Sequence, residues 1–121
     1  MLYEETEKKE IERVYAVFAD YIRESLYLEW FWSDKLGYLL LKIGAEKRYI
    51  AKNVIIYTAE QVARILFSEV SMDVLRMTGN DHTEQTADHL ELAEIKRRWN
   101  PYIDQLPEYA YICDDLLSGR K

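Results

Sequence analysis

Glycine, proline, cysteine and histidine are all scarce in this chain, with four, two, one and two residues out of 121. Four glycines leave little room for a phosphate-cradling loop, and no Gly-x-Ser-x-Gly elbow or Cys-x-x-Cys pair occurs. No cofactor is therefore expected. Cys113 has no second cysteine to join, so an internal disulfide is excluded and a reducing, cytoplasmic setting is expected. No apolar run approaches the roughly 20 residues that span a bilayer, so no membrane association is expected. The first residues, MLYEETEKKE, are charged and acidic, unlike a signal or transit peptide. Internal repeats, low-complexity tracts and dividing linkers are also missing, and the length suits one domain, 1–121. Its ends, about 1–5 and 118–121, are expected to fray.

The net charge is −6, and it is unevenly spread. Acids dominate 1–33 and 53–95. Between them, Lys35, Lys42, Lys47, Arg48 and Lys52 outnumber Asp34 and Glu46. A second basic knot, Lys96-Arg97-Arg98, follows. The overall sign opposes non-specific DNA affinity, because cationic side chains drive phosphate binding. Local basic patches still leave room for an anionic partner.

The stretch from Tyr27 to Tyr57 concentrates the large rings: Tyr27, Trp30, Phe31, Trp32, Tyr38, Tyr49 and Tyr57. Its strand reading puts strands near 28–32, 38–43 and 53–57, with Ser33–Gly37 as the first turn. A helix reading is also open, since Leu36, Leu39, Leu40 and Ile43 have helical spacing, with Ser33 as cap and Gly44 past the end. Gly37 would weaken that helix, and the aromatic and β-branched flanks favour strands.

Helices are expected on both sides. Stepping 100° per residue from Ile11, Val14, Tyr15, Val17, Phe18, Ala19, Tyr21, Ile22 and Leu26 share one broad face, and the helix should stop near Leu28. Thr58 and Gln61 form a capping box that opens a second helix running to about Met77, with Gly79 as its stop. Its main apolar face holds Val62, Ala63, Leu66, Phe67, Val70, Val74 and Met77, with Ile65, Met72 and Leu75 spread over the remainder. That breadth predicts cover on more than one side. Residues 80–86 are polar and predicted as a loop. Asp88 and Glu91 then read as a second capping pair, with Leu92, Ile95 and Trp99 inward. Asn100-Pro101 and Pro107 should each restart the chain. The last helix lines up Tyr109, Ile112, Cys113 and Leu116.

The expected fold is thus α+β: a long N-terminal helix, a short antiparallel hairpin or three-stranded sheet, and three to four packed helices. The alternative is an all-α bundle.

Chemistry has little to stand on. His82 and His89, with Asp81, are weak metal candidates, because converging ligands would need a helical 82–89. Solvated loop and cap residues are the preferred reading of them. Glu69 and Asp73 lie four apart among apolar residues, a placement that can tune acid–base groups, with Arg76 near enough to neutralise them. A narrow wet seam between two packed neighbours is the preferred reading of these three. Cys113 on an apolar stripe reads as a small hydrophobe. No catalytic residue is assigned, and an enzyme is the less favoured class.

The remaining signal is aromatic. Exposed rings beside cations suit a protein-binding hot spot or a base-stacking platform, whereas covered rings would be core. Trp30, Trp32, Lys35, Tyr38, Lys47, Arg48, Tyr49 and Lys52 form the candidate interface. The expected function is a small acidic interaction or regulatory protein that binds another protein, with a homodimer as one form. Inhibition by an acidic face is a variant, through Glu4, Glu5, Glu7, Glu10 and Glu12 or through Glu84, Asp88, Glu91 and Glu94. The alternatives are an RNA or single-stranded DNA binder using 27–57, and a small metal-dependent enzyme using 81–91.

Overall fold

The computed structural model describes residues 4–25, 28–33, 38–46, 49–77 and 85–118, with the backbone alone at 31–33, 38–46, 49–53, 76–77 and 85–91. In order, the elements are α1 (Glu5–Glu24), β1 (Leu28–Ser33), β2 (Tyr38–Glu46), β3 (Tyr49–Ile56), α2 (Ala59–Met77), α3 (Gln85–Gln105), a 3-10 turn (Pro107–Tyr109) and α4 (Ala110–Ser118). Most of the described chain is helical. It divides into two compact units, Met1–Val62 and Ala63–Lys121, and the boundary falls inside α2.

In the first unit, α1 buries Ile11, Val14, Phe18 and Ile22. These recur at three- and four-residue steps, so they form one stripe along the helix. Tyr15, Val17, Ala19 and Tyr21 flank it half-buried, while Glu12, Asp20 and Glu24 are exposed. Acids at Glu5 and Glu7 and a base at Arg23 suit the positive and negative ends of the helix dipole. The helix stops at Glu24, earlier than the expected Leu28. Ser25 is already extended, at φ −70° and ψ 142°, and its N–H reaches back to the Ile22 carbonyl. Leu28 is instead the first residue of β1, where it is fully buried.

The strands pair antiparallel in the order β1-β2-β3. Leu28 faces Ile43, Trp30 faces Leu41 and Ser33 faces Tyr38. Along β1 the alternation is plain, with Leu28 buried, Glu29 exposed and Trp30 half-buried. β3 begins at Tyr49, ahead of the expected 53, because β2 continues to Glu46 and the two strands pair from Glu46↔Tyr49 onward. The register shifts on both sides of Gly44, which pairs with Ile50. A glycine is well suited to such an irregular ladder.

Four side-chain bonds tie together the end of β3, the start of α2 and α1. Thr58 Oγ1 accepts the Gln61 N–H at 3.1 Å, which is half of the expected capping box. The other half differs, because Gln61 Oε1 accepts the Tyr57 N–H at 2.7 Å, one residue before the cap. Gln61 Nε2 meanwhile donates to the Ile55 carbonyl at 2.9 Å. One side-chain amide thereby serves a donor and an acceptor at the end of β3, as a neighbouring strand's peptide would. From α1, Glu7 Oε2 accepts the Ala59 N–H at 2.9 Å.

In the second unit, α2 buries Ala63, Leu66, Phe67, Val70 and Val74, on the face predicted for it. Met72 is 43% exposed, so the predicted cover over the rest of the helix fails there. α3 differs most from expectation. It begins at Gln85 and runs unbroken to Gln105 with Pro101 inside. Asp88 and Glu91 are therefore interior helix positions rather than a capping pair, and Asn100-Pro101 is no restart. An interior proline costs about 3 kcal/mol. Ile95, Trp99 and Leu106 are all buried on one stripe spanning it, each stabilising by roughly 1.5–3 kcal/mol. Burial on both sides of the proline outweighs the lost bond, and Pro101 itself is exposed. The helix ends where Pro107 excludes its predecessor from helical geometry. Leu106 sits at φ −130° and ψ 56°, and its N–H still reaches Tyr102 and Ile103 carbonyls. α4 then buries Ile112 and Cys113, with Tyr109 and Leu116 half-buried.

Candidate binding surface

In the first unit, Trp30 of β1 stacks on Tyr15 of α1, with ring centroids 4.7 Å apart and planes inclined by 21°. Alternation along β1 puts Trp30 on the same face as the buried Leu28. Tyr15 sits next to Val14 at the edge of the buried stripe, which leaves it half-buried. An offset aromatic pair of this kind adds about 0.5–1.5 kcal/mol beyond the area it buries. Beside the pair is an open pocket of about 250 Å³, lined by Ala19, Ile22 and Leu28, with Arg23 and Glu29 among its polar groups. Arg23 also forms an exposed ion pair with Asp20.

Of the predicted interface, only Trp30 has a described side chain, and it is half-buried. Lys35, Lys47 and Arg48 lie outside the described residues. Trp32, Tyr38, Tyr49 and Lys52 have described backbone alone, on β1, β2, β3 and β3. Tyr15 carried no interface signal in the sequence, since its place on the α1 helical wheel reads simply as core.

The second unit holds an open groove of about 280 Å³, lined by Met72, Leu75, Ile95, Trp99, Leu116 and Leu117, together with Ser68 and Ser71. Its polar groups are largely occupied from within. The Trp99 indole N–H donates to the Phe67 carbonyl at 2.8 Å, and Ser71 Oγ donates to the Ser68 carbonyl at 2.6 Å. Phe67 also meets Trp99 edge-on, with centroids 6.2 Å apart at 89°.

The second basic knot is less available than its sequence implies. Glu94 accepts from Arg97 Nε at 2.8 Å, from a terminal Arg97 nitrogen at 2.5 Å and from Arg98 Nε at 2.8 Å. Hydrogen bonds from Arg97 and then Arg98 hold the Glu94 carboxyl down at about 2, and the same contact raises the Arg97 guanidinium. The acidic faces are likewise tied up in part. Glu7 caps α2, and Glu10 binds Arg13 through both oxygens at 2.8 and 3.0 Å.

Glu69 is buried at 5% exposure, Asp73 is half-buried, and both are engaged by other groups. The Arg76 side chain is not among those described. Asp81 and His82 lie outside the described residues, and His89 has described backbone alone on α3. Among the described residues, no group of three His, Cys, Asp or Glu side chains could hold a metal ion. Cys113 is buried, and desolvation followed by the charge of Asp114 pushes its thiol up to about 12. Among the described residues, no helix is long and apolar enough to cross a membrane.

The chain matches no family model, no curated protein and no solved structure.

Proposed function

We propose that this chain is a small α+β interaction module of the cytoplasm, which acts by binding another protein. The observation that carries this reading is the half-buried Trp30, held against Tyr15 beside an open pocket. A large ring already fixed in place loses little conformational entropy when a partner covers it, and tryptophan and tyrosine dominate binding hot spots. The interface would extend from this pair to Trp32, Lys35, Tyr38, Lys47, Arg48, Tyr49 and Lys52. A second copy of the chain is one partner this reading admits, and an inhibitory role would follow if the partner is an enzyme. The single buried thiol suits a reducing compartment.

The test is affinity capture from the source lysate with wild type, Trp30→Ala and Tyr15→Ala, each first shown to be folded by circular dichroism. Loss of a wild-type partner from both variants supports the surface. Folded variants that retain every partner overturn it. Light scattering over a concentration series separates self-association from a foreign partner. Binding of an oligonucleotide that weakens steeply with salt would favour the nucleic-acid alternative instead.

A further inference from the structure

We draw no further inference here: the strongest candidate, the apolar groove of the second unit lined by Met72, Leu75, Ile95, Trp99, Leu116 and Leu117, is an open face for which nothing in the structure shows what covers it.

Discussion

The Glu7 carboxylate accepts the backbone N–H of Ala59 at 2.9 Å, joining positions 52 residues apart. A carboxylate there satisfies one of the donors that the first turn of α2 leaves unpaired, and it meets the positive end of the helix dipole. Glu7→Ala should destabilise the fold by about 1 kcal/mol, as the loss of a helix cap does. Glu7→Gln keeps an acceptor without the charge and should cost less. Urea denaturation of the three proteins checks the order, and equal midpoints would show that the cap contributes nothing.

Trp99 combines burial with one specific hydrogen bond to the Phe67 carbonyl. Trp99→Phe removes the indole donor and part of the ring, for which the hydrogen bond alone accounts for about 1 kcal/mol. Trp99→Ala empties the site and should cost about 3–5 kcal/mol. Denaturation midpoints rank the two, and an alanine variant as stable as wild type would contradict the packing described.

Cys113 should be inert in the folded protein. A thiol pushed from 9.0 to about 12 carries about a thousandfold less thiolate at pH 8, and the thiolate is the reactive form. A soluble thiol reagent should label urea-unfolded protein quickly and native protein only slowly. The pH dependence follows from the sign of the shift. Below about 9 the thiol is neutral in both states, and its contribution is fully present. As pH rises from 9.0 through about 12, the unfolded chain loses the proton first, so stability falls. Cys113→Ala should flatten that part of the stability–pH curve, and an unchanged slope would count against the assignment.

Glu94 should titrate near 2 rather than at the ordinary 4.5. Its folded value is depressed, so any stabilisation is present above 4.5 and fades as pH falls through about 2. Carbon-detected NMR of the side-chain carboxyl reads this directly. Glu94→Gln removes the charge that occupies Arg97 and Arg98, so retention on a heparin column should increase. Unaltered retention would mean that the two guanidiniums were never neutralised by this carboxylate.

The regular parts of the structure were legible because helical period and capping are local properties. The buried stripe of α1 follows from the spacing of Ile11, Val14, Phe18 and Ile22, and Thr58 marks the start of α2. In the candidate surface, Trp30 stood out as a large ring in an aromatic run. Its stacking partner did not, because Tyr15 is 15 positions earlier on another element, and its own period assigns it to the core. Pro101 misled for a related reason. A proline's local effect is to break a helix, and it is overridden only when burial continues on both sides, as at Ile95, Trp99 and Leu106.

Sequence alone determined where the amphipathic faces lie, since that depends only on the spacing of apolar residues. Tertiary structure decided which charges are spent inside the fold. Glu7 on Ala59 and Arg64 on Asp115, the latter at 3.3 Å, each require two distant segments to meet. Coulombic and hydrogen-bond energies depend on separation in space, and separation along the chain says little about that.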